Sequence, residues 1–280
     1  PTPAHPHSRA RGRTRITLAI APAVALVGSV LAAPSVTAAS LPTGWTTVAG
    51  VTPGRTGQAT SVLTDGRVLV IGGQVVTTSS GSTTYTTLRD GAVYDPATGS
   101  WKATKAPVEA RTNGTAVTLT SGKVLLLGGQ GAGTLSSAEL YNPTTNAWST
   151  TAPMSMARRL PVAVRLPSGS VLVVGQTTFP RSVTVSAEVY DPSTQRWTAT
   201  AGVGVPTTSG AGGNDGVLLP SGDVLTNVGM YGSTGGLNVG PRMYVTARNS
   251  WTQLSAPPIK LGGEPQLSLL PDGRVLFTGG

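Results

Sequence analysis

The sequence predicts an all-β fold, a β-propeller of four-stranded blades, and three observations carry this prediction. Tyrosine and tryptophan recur seven residues apart, Gly-containing turn motifs recur before these pairs, and a short apolar run follows each turn. Apolar runs bounded by turn residues are typical of buried strands. Self-similarity with a period of about 20–50 residues is typical of repeat architectures. Each copy has room for four strands, which make one propeller blade.

The inner half of each copy is predicted to be a hairpin. Its turns are Asp65-Gly66, Ser121-Gly122, Ser168-Gly169, Ser221-Gly222 and Asp272-Gly273, each followed by a Val- and Leu-rich run. In the first copy we expect strands near Ala59–Leu63, Arg67–Ile71, Ala92–Tyr94 and Trp101–Thr104. Three of the apolar runs end in Gly-Gly, where a bare backbone permits close approach: Gly72-Gly73, Gly128-Gly129 and Gly279-Gly280. The third copy has only Gly175 and the fourth has Gly229, so their local geometry is expected to differ.

The outer half of each copy carries the aromatic pair. The pairs are Tyr94 and Trp101, Tyr141 and Trp148, Tyr190 and Trp197, and Tyr244 and Trp251. In the first three copies Asp or Asn precedes Pro between the two aromatics, which predicts a tight turn because the side chain caps a backbone N–H and Pro fixes φ. The fourth copy, Thr246 to Ser250, lacks the Pro. The position of the tryptophans on the outer strand indicates packing between blades rather than a row of sugar-stacking rings.

Gly-Gly, then Tyr, then Trp resembles the kelch repeat, and the resemblance covers the chain from Trp45 to its end. It implies a β-propeller, commonly of six or seven blades. About four and a half blades are present, so we expect the propeller, residues 40–280, to be C-terminally incomplete. Trp45 would then be the outermost strand of the last blade and would join the two ends of the ring.

The first 39 residues are predicted to be a secretory signal peptide. Arg9, Arg11, Arg13 and Arg15 precede an apolar run from Ile16 to Ala33, and small residues follow up to Ala39. A basic start, an apolar stretch and a small-residue cleavage site define such signals. The alternative is a membrane anchor, but the run contains Pro22 and Gly28 and no basic residues follow it closely. We expect a secreted protein without stable membrane insertion once the signal is removed.

Composition excludes several function classes. The chain has no cysteine, and its two histidines, His5 and His7, lie within the predicted signal. Thiol nucleophiles, zinc–thiolate sites, histidine triads and histidine metal sites are therefore not expected in the folded part. Without the four signal arginines, the net charge of +9 falls to +5. No stripe of basic residues interleaved with aromatics is visible, so nucleic-acid binding is not predicted. We predict no catalytic residue, no metal and no cofactor.

One face of the propeller is predicted to carry function. If strands a to d run outward from the axis, the b–c loops and the d–a linkers between blades share a face, and the tight a–b and c–d turns share the other. The variable segments fall on the first face: Val75 to Thr87, Gly131 to Ser136, Thr177 to Thr184 and Gly229 to Pro241. Variable surface loops are where binding residues concentrate.

Polar residues recur in register on this face. The candidate ligand-binding residues are Arg55, Arg111, Arg158, Arg159, Gln74, Gln130 and Gln176, with Lys260 close to the same register. Forked guanidinium donors and amides suit carboxylates, phosphates or sugar hydroxyls. The alternative is that the arginines bind carbonyl groups of the adjacent blade and close the ring. Glu139, Glu188 and Arg242 share a second register, which indicates ion pairs between neighbouring blades or, alternatively, an acid–base pair.

These observations favour a non-catalytic extracellular propeller that binds a glycan or a protein through its loop-rich face. Two enzyme alternatives come from the resemblance. Galactose and glyoxal oxidases have similar propellers, and their chemistry implies copper held by His and Tyr with a Tyr cross-linked to a Cys. In this alternative the ligands would lie in the missing C-terminal part. Sialic-acid mutarotases are also exported kelch propellers, and a ring of Arg and Glu would suit a sugar acid.

Overall fold

The secondary structure consists of short antiparallel strands. The computed structural model describes residues 47–48, 50–176, 185–204, 215–228, 240–256 and 266–278, all within the unit Thr47–Gly280. The predicted signal peptide, Trp45 and Lys260 lie outside the described residues. Within the described ranges no helix is long and apolar enough to cross a bilayer.

The first blade shows how the repeat folds. Its four strands pair in the order β1 (Ala59–Val62), β2 (Val68–Ile71), β5 (Gly91–Asp95) and β6 (Ser100–Ala103). A separate hairpin, β3 (Gln74–Ser79) with β4 (Ser82–Thr87), is inserted between β2 and β5. The four strands predicted for the first copy are confirmed to within two residues at each end.

Three more blades follow the same order. Blade 2 comprises β7 (Thr115–Thr118), β8 (Val124–Leu127), β9 (Ala138–Asn142) and β10 (Ala147–Thr151). Blade 3 comprises β11 (Val162–Arg165), β12 (Val171–Gln176), β13 (Val185–Asp191) and β14 (Arg196–Ala199). Blade 4 comprises β15 (Gly216–Leu218), β16 (Val224–Thr226), β17 (Arg242–Val245) and β18 (Ser250–Gln253). A two-stranded sheet, β19 (Gln266–Leu269) with β20 (Val275–Thr278), is the half blade, so the described part contains the four and a half blades that were predicted.

The first strand of each sheet is the innermost one. Strand β1 contacts β7, β7 contacts β11, β11 contacts β15, and β15 contacts β19. Successive a strands therefore stand side by side, as the strands around a propeller axis do. Hydroxyl groups join them as well, since Ser61 and Thr118 Oγ atoms lie 2.7 Å apart between blades 1 and 2.

The hydrophobic core lies between the blades. The b strands are buried along their whole length in blades 2 and 4, and each apolar cluster joins residues of two successive blades. Leu125 and Leu127 of blade 2, for example, pack with Val171, Val173 and Tyr190 of blade 3. A blade therefore buries its faces only by stacking on its neighbours.

The aromatic pairs belong to this interblade packing. Tyr141 and Trp148 are cross-strand neighbours whose ring centroids lie 5.0 Å apart. The indole Nε1 of Trp148 donates to Lys105 O at 2.8 Å, in the linker that follows blade 1, and Trp197 Nε1 donates to Ala152 O at 2.7 Å, in the linker that follows blade 2. The rings are therefore structural, as their register indicates.

Blades 3 and 4 differ from the first two where their sequences do. With a single glycine, β12 continues through Gly175 to Gln176 and stays paired with β13. Without the Pro, the c–d turn of blade 4 becomes a 3-10 turn, Thr246–Arg248, closed by Asn249 at φ 47°. Asn249 Oδ1 accepts a hydrogen bond from Tyr244 Oη at 2.9 Å, which holds the turn against the aromatic pair.

Candidate functional site

The b–c loops and d–a linkers share one face, because neighbouring strands in every sheet are antiparallel. This surface is called the loop face here. It includes the β3–β4 hairpin of blade 1, the loop Gly129–Ser137 of blade 2, and the linkers 104–114 and 152–161. The loop Thr177–Thr184 and most of Gly229–Pro241 lie outside the described residues.

Each repeated arginine lies in a d–a linker and binds the blade into which that linker leads. Arg111 Nη1 donates to Gly128 O at 2.8 Å and to Ser137 O at 3.3 Å, at the ends of β8 and β9. Arg158 repeats this contact with Gly175 O and Ser186 O, at 3.0 and 2.7 Å. The guanidinium therefore binds carbonyl groups at the b–c end of the blade into which its linker leads. The alternative considered from the sequence was binding to carbonyl groups of the adjacent blade.

A carboxylate accepts the other arm of each arginine. Arg111 Nη2 lies 2.8 Å from Glu139 Oε1, and Arg158 Nη2 lies 2.7 Å from Glu188 Oε1. The second oxygen of Glu139 accepts the N–H of Val108, at 2.6 Å, and so holds the linker itself. These ion pairs join a linker to the blade that follows it. The prediction of ion pairs between neighbouring blades is corrected accordingly.

Blade 1 achieves the same contact with a different acid. Ala92 stands where blades 2 and 3 have their glutamates, and Asp90 takes their place. Arg55 Nη1 donates to Gly72 O and Asp90 O at 3.1 and 3.0 Å, and its Nη2 lies 3.0 Å from Asp90 Oδ2. The carboxylate of Asp90 is half exposed, unlike that of Glu139. The Arg–acid contact is thus repeated, although the position of the acid shifts.

Burial decides what these arginines can do. Arg111 is 1% exposed and Arg158 is fully buried, and burial lowers the pKa of Arg158 from its ordinary value although Glu188 opposes this. Their Nη atoms are occupied by blade atoms, and only Nε is without a protein acceptor. Neither guanidinium presents its fork to the surface. The geometry supports the structural alternative for these two residues.

The backbone of the same arginines joins successive blades. Gly73 N–H donates to Arg111 O, and Gly129 N–H donates to Arg158 O, both at 2.8 Å. A Cβ added at Gly72 would lie 2.3 Å from Arg111 O, and one at Gly128 would lie 2.7 Å from Arg158 O. The glycine pairs are required for this approach of the next linker.

A second backbone chain runs along the starts of the innermost strands. Asn113 N–H donates to Gly57 O at 2.7 Å, and Leu160 N–H donates to Asn113 O at 3.0 Å. All three residues have positive φ, between 51° and 65°. The loop face is therefore tied from blade to blade by backbone hydrogen bonds and gives a fixed base to the segments that project from it.

The remaining candidates lie nearer to solvent. Gln130 and Arg159 are exposed, whereas Gln74 is half-buried and its backbone pairs with Thr56 at the base of the hairpin. Gln130 pairs with Thr112 in the same way. The side chain of Gln176 lies outside the described residues. Among the predicted residues whose side chains are described, Gln130 and Arg159 are therefore the exposed ones.

The β3–β4 hairpin is the feature that sequence reasoning missed. The segment from Val75 to Thr87 was expected to be a loop, but it forms two six-residue strands joined by Ser80 and Gly81, at φ 50° and 80°. Two positive φ values are what a tight two-residue hairpin turn requires. Ser-Gly between two runs rich in Val, Thr and Tyr was the available signal, but it is weaker than Asn-Gly.

The hairpin stands in solvent on both of its faces. Val76 and Tyr85 are directly opposite one another, 45% and 63% exposed, with Thr78 and Thr83 as the next pair on the same face. No charged residue occurs between Gln74 and Thr87, and nine of these fourteen residues are Ser or Thr. An exposed apolar pair among hydroxyl groups is thus the most distinctive surface that the loop face presents.

Blade 4 departs from the arginine–acid pattern. Arg242 occupies the position of Glu139 and Glu188, is 4% exposed, and donates to Gln253 Oε1 at 2.6 Å and Gly204 O at 2.9 Å. Burial lowers its pKa from the ordinary value. Because the residue in this register is a cation, it cannot form an acid–base pair of carboxylates with Glu139 or Glu188.

Within the described ranges, no group of three or more His, Cys, Asp and Glu residues is close enough to hold a metal ion.

Comparisons with known proteins agree with this architecture. A family profile described as the Kelch motif matches residues 111–155, from Arg111 into the linker that follows blade 2. No match was found among curated proteins. Among solved structures, that of YjhT has a TM-score of 0.61 and 16% sequence identity, and the alignment covers 85% of this chain and 80% of YjhT. At this identity the likeness concerns the fold. The stacked four-stranded sheets show a β-propeller fold, and the Kelch motif matches the repeat at residues 111–155.

Proposed function

We propose that this chain is an exported, non-catalytic propeller that binds a glycan through its loop face. The observation that carries the proposal is the β3–β4 hairpin, which holds Tyr85 and Val76 in solvent on a fixed two-stranded support. Exposed aromatic residues on a rigid scaffold are typical of binding sites, because their rings add apolar contact and the Tyr hydroxyl adds a polar end.

The chemistry of the hairpin suits a neutral, hydroxyl-rich ligand. Thr78 and Thr83 lie beside the Val76–Tyr85 pair, and each hydroxyl can both donate and accept a hydrogen bond. The apolar pair would contact the C–H face of a sugar ring while the hydroxyls bind its oxygens. Gln130 and Arg159 are exposed on the same face of neighbouring blades and would add amide and guanidinium donors.

A protein ligand is the second candidate. Its support is the pair of exposed apolar residues, Val76 and Tyr85, because aromatic side chains are enriched at protein interfaces. A glycan is favoured over a protein by the ratio of hydroxyl to apolar groups on the hairpin.

A glycan array probed with the purified chain tests the proposal. We expect Tyr85→Ser to weaken binding about tenfold or more, which corresponds to about 1.4 kcal/mol. Val76→Thr should also weaken it, whereas Val62→Thr is the matched control, since Val62 is 62% exposed but ends the a strand beside the opposite turn face. Gln130→Ala and Arg159→Ala extend the test to blades 2 and 3.

Three results would argue against the proposal. Undiminished glycan binding by the combined Tyr85→Ser, Gln130→Ala and Arg159→Ala variant would remove the loop face as the site. Binding confined to protein ligands would favour the second candidate. Copper-dependent peroxide release from galactose or methylglyoxal would replace binding with the oxidase alternative.

A further inference from the structure

The β3–β4 hairpin has an open backbone edge. Ser79 and Ser82 flank the two-residue turn and face one another, so the hydrogen bonds inside the hairpin form at this pair and at every second pair from it. The N–H and C=O groups of the pairs in between point outward, away from the partner strand. Gln74 confirms this phase, because its outward N–H and C=O bind Thr56 of the neighbouring linker at 2.8 and 3.0 Å. On β4 the outward groups belong to Thr83 and Tyr85. In the described part of the chain they have no backbone partner beyond the hairpin.

Within the described residues, this edge lacks the usual protection against further pairing. Exposed edge strands commonly carry Lys, Pro, a bulge or a covering loop, which prevents another strand from adding to the sheet. From Gln74 to Thr87 there is no charge and no Pro, and the pairing register is continuous without a bulge. The strands are instead rich in Thr, Val and Tyr, which favour sheets.

We propose that β4 pairs antiparallel with β4 of a second copy of this chain, so that two hairpins form one four-stranded sheet. The twofold axis would pass beside Thr84, whose own N–H and C=O point inward to β3. Thr83 would then face Tyr85 of the second copy, and the outward groups of both residues would be satisfied. Pairing would use the edge of β4 and would leave the face bearing Val76 and Tyr85 open. This proposal therefore does not depend on a ligand.

The sequence of β4 is complementary to itself in this register. Aromatic residues opposite β-branched ones are favourable cross-strand pairs, and the register gives two of them, each formed by Thr83 and Tyr85. Ser82 would face Thr86 of the second copy, which pairs hydroxyl with hydroxyl. A twofold contact also brings a charged residue near the axis close to the same residue of the second copy. The hairpin avoids that repulsion because it is uncharged, although the chain as a whole is strongly basic.

The contact is small, so the dimer should be weak. Stable interfaces bury about 1,200–2,000 Å² in total, and two six-residue strands bury much less. Association should therefore depend on concentration in the micromolar range or above. Two loop faces held together would bind a repetitive ligand more tightly than one face does.

Sedimentation velocity over a concentration series tests the proposal, with two matched variants. Thr78 and Thr83 form one cross-strand pair, so Thr83→Pro removes an outward donor from the β4 edge and Thr78→Pro removes the equivalent donor from the β3 edge. We expect wild type and Thr78→Pro to dimerise alike, and Thr83→Pro to sediment as a monomer at every concentration. Tyr85→Lys, which places like charges close together across the contact, should weaken dimerisation at least tenfold.

Several outcomes would overturn the proposal. A wild-type chain that stays monomeric up to millimolar concentration has no such contact. Loss of the dimer in Thr78→Pro but not in Thr83→Pro would assign it to the β3 edge, and a dimer that survives both variants would lie elsewhere. Because mass is measured without any ligand, these results are independent of the glycan array.

Discussion

At the scale of single residues, the repeated arginines show why this position holds Arg rather than Lys. One Nη atom binds two carbonyl oxygens and the other binds a carboxylate, in blades 1, 2 and 3 alike. The planar fork of a guanidinium matches this divergent set of acceptors, whereas an ammonium is a point charge. The linker is fixed to its blade by the side chain and to the previous blade by the backbone of the same residue.

Arg111→Ala should therefore lower the stability of the fold sharply. Its partner Glu139 is 2% exposed, so the substitution leaves a buried carboxylate without its cation, at a cost of about 3–5 kcal/mol. Arg55→Ala should cost less, because its partner Asp90 is 52% exposed and can regain water. Thermal unfolding followed by circular dichroism measures the difference.

The control for this prediction is a second change at the same pair. Adding Glu139→Gln to Arg111→Ala removes the stranded charge and should recover part of the lost stability. Arg159→Ala, next to Arg158 but exposed, should leave the melting temperature nearly unchanged. Equal melting temperatures for Arg111→Ala and wild type would show that the buried pair does not hold the blade.

At the scale of elements, the Gly-Gly motif ends strand b and admits the next linker. Both glycines have positive φ in blades 1 and 2, and the carbonyl of the next arginine lies where a side chain would otherwise begin. Blade 3 shows the alternative outcome, since β12 continues through Gly175 when the second glycine is replaced by Gln176. The motif thus sets the length of strand b as well as the approach of the linker.

Gly72→Ala and Gly99→Ala separate steric contact from backbone strain. The two glycines have nearly equal φ, 66° and 67°, but a Cβ at Gly72 would lie 2.3 Å from Arg111 O and one at Gly99 would meet nothing within 4 Å. Gly99→Ala should cost about 1–2 kcal/mol, the price of the left-handed conformation alone. Gly72→Ala should cost clearly more in denaturant unfolding, and equal losses would contradict the close approach.

At the scale of the whole molecule, stability depends on contact between blades. Each apolar cluster is shared by two blades, and the innermost strands adjoin one another in chain order. In such arrays the stability of a repeat is the sum of its own contacts and those with its nearest neighbours. Blades 2 and 3, which have a complete blade on each side among the described residues, should therefore be the most stable part.

Hydrogen exchange followed by mass spectrometry should show this gradient. Strand β8 and the stretch Val171–Val174 of β12 are almost fully buried and should exchange most slowly. Strand β20 occupies the same place in the fifth sheet but is only partly buried, so it should exchange much faster. Protection of β20 equal to that of β8 would show that another surface covers the fifth sheet in solution.

The sequence alone determined the blades. Tyr141 and Trp148 at a fixed spacing, the Ser121-Gly122 turn and the apolar run after it specify strands and turns through local chemistry, and repetition makes each weak signal strong. The presence of four and a half blades and the interblade role of the tryptophans followed from the same repetition. Such features are local in the chain, so spacing and residue type are sufficient to predict them.

Only the tertiary structure decided what the loop face contains. Arg111 and Gln130 are both polar residues in register, yet one is buried against Glu139 and the other is exposed, because the linker and the b–c loop meet in space and not in sequence. The β3–β4 hairpin was only weakly indicated by the sequence, since Thr and Ser suit loops as well as strands. Long-range backbone contacts at Thr56 and Gln74 fix its base, and no local pattern specifies them.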